Sequence, residues 1–206
     1  MTGSQPRVVF ASAADSFAAL VRRIPDGCWD GPGLGDWDLR SLVGHTSRSL
    51  VTVSSYLQTA AEREDVLDAA DYYAKIRDVA AGMASSAIVE RGRQAGRDLG
   101  ADPAATIDTL VARVRSDLDR AGDPLIEVIG GLGIRLDSYL PTRTFELAVH
   151  GTDIARAVGV EFVAPDEVLT EAATLAARIG VRLGHGPEVL LALTGRADLP
   201  AGFSVV

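Results

Sequence analysis

Two of the three histidines in this chain occur where helical spacing could give them metal-binding partners. Glu146 and His150 are four positions apart, so on a helix both side chains project from one face, one turn apart. His45 lies much earlier, in a second segment with helical periodicity. Two imidazoles and a carboxylate contributed by facing helices would suit zinc with an open fourth position, the pattern of a catalytic site. Nickel or ferrous iron would accept the same ligands.

The histidines also have a simpler interpretation as packing residues. A histidine at the border of a buried helix face is commonly a satisfied core or surface residue, and a Glu–His pair at this spacing is common on solvated helices. The third histidine, His185, lies in a glycine–proline turn and is interpreted as a loop residue. The pattern alone leaves open whether His45 and His150 meet at a metal.

Two more polar residues share the helix face of Glu146 and His150. Arg143, Glu146, His150 and Asp153 form a stripe beside an apolar face, where polar groups are costly unless they have partners. Asp153 could accept an imidazole N–H and fix the tautomer of His150, or it could move a proton in the pocket. Arg143 could hold a substrate carboxylate. Its alternative is an ion pair with Glu146 on the helix surface.

The elements that must position these residues are predicted to be helices. Apolar residues recur with helical periodicity in six segments, approximately 10–24, 39–57, 68–99, 103–118, 137–159 and 165–183. Asp36 or Asp38 is expected to cap the second segment, and Asp102 followed by Pro103 is a strong start signal for the fourth. A short helix follows in the C-terminal extension.

Two regions interrupt this helical pattern. Gly82, Gly92 and Gly96 make the continuity of the third segment doubtful, because glycine costs about 1 kcal/mol against alanine inside a helix. Residues 122–136 combine β-branched runs with three glycines and are predicted as a connecting loop that could hold a short strand or hairpin. The prediction is an all-α bundle, a single domain over 1–206 in which 186–206 is a short C-terminal extension.

Composition narrows the classes of partner and compartment. A net charge of -8 argues against nucleic acid and anionic lipid as partners. No apolar stretch approaches the ~20 residues needed to cross a bilayer, and the N-terminus has no signal segment. With Cys28 as the single cysteine, no internal disulfide can form, so we expect a cytoplasmic protein. Lys75 is the single lysine among 20 basic residues, a bias that suggests a high-GC bacterial genome.

Three stretches carry a resemblance to a known family. The segment WDLRSLVGHTSRS, residues 37–49, resembles the tryptophan-then-histidine helix start of the DinB-like superfamily. TRTFELAVHGTDIARAVG, residues 142–159, resembles the R-x-x-E-x-x-x-H-x-x-D signature of its mycothiol-dependent maleylpyruvate isomerase branch. The tail LLALTGRADLPAGFSV is also similar to that branch.

The resemblance implies a fold and a metal site. It implies a DinB-like up-down-down-up four-helix bundle with a divalent metal near one end, and here extra C-terminal helices follow. It also implies that His45, Glu146 and His150 are the metal ligands, and that mycothiol, an actinobacterial thiol, is the cosubstrate. The isomerase carries a larger C-terminal domain to which part of its active site is attributed. Because only a short tail follows the sixth segment here, maleylpyruvate is left open as the substrate, and Arg196 is a candidate for a lost basic group.

The expected function is thiol activation by a bound metal, most simply zinc. The thiol would be transferred to a small electrophile or would catalyse its cis–trans isomerisation, in an S-transferase or a maleylpyruvate isomerase-like enzyme. The alternative is a non-catalytic metal- or ligand-binding bundle of the same type, or a member whose polar stripe is only structural. Helix packing could support a homodimer, although no feature of the sequence requires one.

Overall fold

Helices form most of the chain in the computed structural model, which describes residues 4–81 and 85–206. These described residues contain eight α-helices, two 3-10 turns at Asp26–Cys28 and Ile129–Gly131, and one two-stranded sheet. The helices are α1 Gln5–Val21, α2 Leu39–Tyr56, α3 Ala69–Ala81, α4 Ser85–Asp98, α5 Pro103–Arg120, α6 Leu136–Val158, α7 Asp166–Arg182 and α8 Gly186–Leu193. The strands are β1 Leu125–Val128 and β2 Leu132–Arg135.

Four helices surround the main core. Helix α1 packs against α5 and α6, and α2 packs against the same two helices, which closes a four-helix ring. The fully buried side chains between them include Phe10, Phe17, Leu42, Leu50, Tyr139, Leu140 and Ile154. Helix α7 covers α6 and α1, while α8 lies on α7. The prediction of an all-α bundle with extra C-terminal helices is confirmed.

Local signals that the sequence offered are found at the helix ends. Asp38, and not Asp36, caps α2 by accepting a hydrogen bond from the backbone N–H of Ser41. Asp102 caps α5 in the same way, with Pro103 in the first turn. Gly159 ends α6 with a φ of 68°, in the left-handed region that favours glycine. Asp38 thus fixes the start of α2, which carries His45, and Gly159 fixes the end of α6, which carries the polar stripe.

Residues 122–136 form the hairpin that the sequence left open. Strands β1 and β2 are antiparallel, with Leu125 opposite Arg135 and Val128 opposite Leu132. The turn between them uses Gly130 and Gly131, both with positive φ. Since β2 runs directly into α6, the hairpin sets where that long helix begins.

The described residues of the third predicted segment form α3 and α4, and two of its three glycines lie inside α4. Gly82 lies outside the described residues. Gly92 and Gly96 lie within α4, where a Cβ on Gly92 would be 2.5 Å from the Trp37 ring and one on Gly96 would be 2.9 Å from the Arg40 carbonyl oxygen. These two glycines let α4 approach α2 closely, and because α4 continues through both of them, the doubt about helix continuity at these two positions was wrong.

In the described part of the chain, no helix is both long enough and apolar enough to cross a bilayer.

Candidate metal centre

Helices α2 and α6 bring His45, Glu146 and His150 together. One ligand atom from each residue lies within 4.8 Å of the others, and the described residues contain one such group of histidine, cysteine and acidic side chains. The rings of His45 and His150 are 5.1 Å apart between centroids and nearly perpendicular. All three side chains are partly buried, so neighbouring atoms restrict where their polar groups can lie.

The packing of α2 on α6 explains why these side chains meet. Leu42 on α2 is about one turn from His45, and Leu147 on α6 directly follows Glu146. Both leucines are buried in the shared core. His45 and the polar stripe of α6 each lie beside an apolar face, so burying the two apolar faces brings His45 to the stripe.

Hydrogen bonds on α6 hold His150 between two carboxylates. Its Nε2 lies 3.3 Å from Glu146 Oε2, and its Nδ1 lies 3.1 Å from Asp153 Oδ2. Burial alone would lower the pKa of His150, but the hydrogen bonds to Asp153 and Glu146 raise it to about 9. Without a metal, His150 is therefore an imidazolium that partly neutralises both acids.

The other two members of the cluster are a neutral imidazole, His45, and an ionised carboxylate, Glu146. Burial, followed by repulsion from His150, lowers the pKa of His45 to about 4, so this imidazole is neutral at pH 7. Burial would raise the pKa of Glu146, but His150 and Arg143 outweigh it and hold that pKa at about 2. The neutral imidazole and the carboxylate are both in the state that binds metal.

These donors fit a divalent cation. Two imidazole nitrogens and one carboxylate oxygen match the ligand types of zinc sites that keep a position open, and nickel or iron share them. Asp153 and Glu146, which raise the pKa of His150, favour a positive charge between them. A cation bound there would replace the proton of His150.

Aromatic residues that the sequence did not single out as site residues form the walls. Tyr73 of α3 is buried, and its hydroxyl donates a hydrogen bond of 2.6 Å to Glu146 Oε1. The Trp37 ring lies 4.5 Å from the His45 ring between centroids. Its Nε1 donates to the carbonyl oxygen of Val89 on α4. A tyrosine on a distant helix gives no motif, so only the tertiary contact shows its place.

Aromatic rings lie against the Arg143 guanidinium, and no carboxylate of the described residues lies within ion-pair distance of it. Its guanidinium lies 4.9 Å from the Tyr139 ring centroid and 5.7 Å from that of Tyr72. Its Nε donates to the Thr142 hydroxyl, and among the described residues no ion pair joins it to Glu146. The alternative of a surface Arg143–Glu146 ion pair is therefore wrong. The two terminal nitrogens of this cation make no hydrogen bond within the described structure.

The remaining candidates lie outside the cluster. His185 precedes α8 and packs against Phe203, with ring centroids 5.4 Å apart. Arg196 is exposed and donates to the Thr194 carbonyl oxygen. The C-terminal extension borders a cavity of about 360 Å³, whose lining also includes Tyr73, Arg77 and His185.

Comparison with known proteins identifies a family for this part of the chain. A family model described as mycothiol maleylpyruvate isomerase N-terminal domain matches residues 10–155, more than half of the sequence. The matched range includes His45, Glu146, His150, Arg143 and Asp153, and it ends before α7. No curated protein and no solved structure matches the chain.

Proposed function

The chain belongs to the mycothiol maleylpyruvate isomerase N-terminal domain family, and from this premise we propose that it is a metal-dependent enzyme acting with mycothiol. It would transfer the thiol to a small electrophile or use it to isomerise one. His45, Glu146 and His150 would hold the cation. Two imidazole nitrogens and a carboxylate oxygen suit zinc best. The observation that carries the proposal is the convergence of these three ligand atoms within 4.8 Å.

The cation would supply one piece of chemistry: when bound, it lowers the pKa of a thiol in its open position and so supplies a thiolate nucleophile. Asp153 accepts the Nδ1–H of His150, which fixes the ring orientation and leaves Nε2 directed toward Glu146. Asp153 would thus act by positioning His150, the cluster residue that it contacts.

Arg143 is proposed to bind the electrophile. Its guanidinium lies one turn from Glu146, and stacking on Tyr139 and Tyr72 holds it without using its terminal N–H groups. Those groups have the fork geometry that matches a carboxylate. We therefore expect an electrophile that carries a carboxylate group. We further propose that residues 1–206 act as one domain, since α7 and α8 continue the packing of the bundle.

Replacing Arg143 by methionine is expected to weaken binding of an anionic electrophile selectively. Methionine keeps an unbranched side chain between the tyrosines but removes the charge. A hydrogen bond to a charged group contributes about 1.5–3 kcal/mol, so KM should rise by about 10- to 100-fold. An uncharged acceptor serves as the control, because its KM should change little. An equal rise for both acceptors would contradict this role.

The proposed function is tested by turnover assays on metal-loaded protein. Mycothiol would be supplied with maleylpyruvate as an isomerisation substrate, or with 1-chloro-2,4-dinitrobenzene as a transfer acceptor. We expect many product molecules per chain, with no product when either thiol or metal is omitted. Full metal occupancy without turnover of either acceptor would instead support the non-catalytic binding protein.

A further inference from the structure

The two oxygens of Glu146 have different neighbours. Oε1 accepts the hydrogen bond of 2.6 Å from the Tyr73 hydroxyl. Oε2 lies 3.3 Å from Nε2 of His150, on the side of the histidines. The carboxylate therefore presents one oxygen to the cluster while the other is already engaged.

The Tyr73 hydroxyl has little freedom to leave this position. Its other polar neighbour is the carbonyl oxygen of Thr142 at 3.3 Å, a longer and uncharged contact. A hydrogen bond to an ionised acceptor is roughly twice as strong as a neutral one, so the proton goes to Glu146. Turning away would leave the buried hydroxyl only the longer, neutral hydrogen bond to the Thr142 carbonyl oxygen.

Helix α3, which carries Tyr73, is itself anchored. The nearly buried Asp71 accepts hydrogen bonds from the backbone N–H of Leu67 and from Lys75, and it pairs with Arg182 of α7. A buried carboxylate with these three partners ties α3 to α7. The phenol is therefore presented to Glu146 by a fixed element.

We infer that Tyr73 is a positioning residue that restricts Glu146 to binding a metal through Oε2 alone. This inference rests on the proposed function, in which Glu146 is a ligand. Carboxylates can bind a cation through one or both oxygens, and a second oxygen would fill one more position around it. Because Tyr73 occupies Oε1, the coordination position that this oxygen would fill stays available for the thiol.

The test uses cobalt(II), whose visible absorption is more intense in four-coordinate than in five-coordinate sites. Tyr73→Phe removes a single oxygen atom and would let Glu146 bind through both oxygens. Tyr72→Phe is the matched control, because Tyr72 is the adjacent buried residue of α3 but packs on Arg143 and Tyr139. Thermal melts of the metal-free variants check that all three proteins are folded.

We expect wild type and Tyr72→Phe to share one cobalt spectrum, and Tyr73→Phe to lose intensity. Thiol affinity of the cobalt protein should fall about 10- to 100-fold in Tyr73→Phe, the range for residues that orient metal ligands. Unchanged spectra and thiol affinity in Tyr73→Phe, with cobalt bound, would overturn the inference alone. Failure of wild type to bind cobalt would overturn the proposed function and this inference together.

Discussion

Replacing His150 by alanine is expected to lower metal affinity by more than about 100-fold. Changes to residues that merely orient a ligand already cost about 10- to 100-fold, and His150 supplies a donor atom of the cluster itself. His45→Ala should have the same effect from the other helix, because only one imidazole and Glu146 would remain. Two donors cannot complete the three-ligand set on which an open catalytic site depends.

His185→Ala is the matched control for both variants. His185 is the third histidine, but it precedes α8, packs on Phe203 and lies outside the cluster. Elemental analysis of protein purified without chelator or histidine tag should find about one metal ion per chain in wild type and His185→Ala. Both cluster variants should lack it while their circular dichroism stays helical.

Two solution measurements separate metal loss from unfolding. Metal at about 100 times its Kd should stabilise wild type by about 2.7 kcal/mol. That corresponds to a rise in Tm of about 5–10 °C, which the His45 and His150 variants should not show. Trp37 lies against His45, so in a Trp29→Phe background its fluorescence should respond to metal. Equal metal content in all four proteins would show that the histidines only pack.

The sequence predicted the helices well where an apolar stripe and an end signal agreed. Asp102 with Pro103 begins α5, and Gly159 ends α6, because caps and glycine conformations act over a few residues. The same locality explains the polar stripe of α6, in which Glu146 and His150 are one turn apart. His45 was assigned to the same site from the helix pattern around it and from the family resemblance.

Other features depend on contacts between distant segments, which local patterns do not encode. Tyr73 reaches Glu146 from α3, and no spacing in the sequence relates the two residues. Arg143 could be assigned to a surface ion pair until Tyr72 and Tyr139 were seen beneath it. Gly92 and Gly96 were misjudged because helix propensity describes an isolated helix, whereas here another segment of the same chain, at Trp37 and Arg40, occupies the space of the missing side chain.

Gly44 makes the strongest case that helix packing positions the metal site. A Cβ on this residue would lie 2.2 Å from the backbone nitrogen of Gly96 and 2.4 Å from the carbonyl carbon of Ala95. Both are backbone atoms of α4, so no side-chain rotation can relieve the overlap. Gly44 directly precedes His45, and α2 would have to move away from α4 to accept any side chain.

Gly44→Ala is therefore expected to destabilise the protein by roughly 2 kcal/mol. Overpacking typically costs about 1–3 kcal/mol, and a clash between two helix backbones belongs at or above the upper end. Alanine returns about 1 kcal/mol through helix propensity, which is too little to compensate. Tm should fall by about 4–8 °C. Metal affinity should fall by about 10-fold or more, because His45 moves with its helix.

Gly151→Ala is the matched control, since Gly151 is also a helical glycine adjacent to a cluster histidine. Its Cβ would meet the Phe162 ring at 3.0 Å, and this half-buried side chain in a loop can shift by the few tenths of an ångström required. We expect a Tm within about 2 °C of wild type and unchanged metal affinity, because the propensity gain offsets the small displacement. If Gly44→Ala melted and bound metal like Gly151→Ala, the close approach of α2 and α4 would not position His45. If Gly44→Ala lost stability but kept full metal affinity, the bundle would tolerate movement of α2 without disturbing the cluster, and the close approach of α2 to α4 would matter for stability alone.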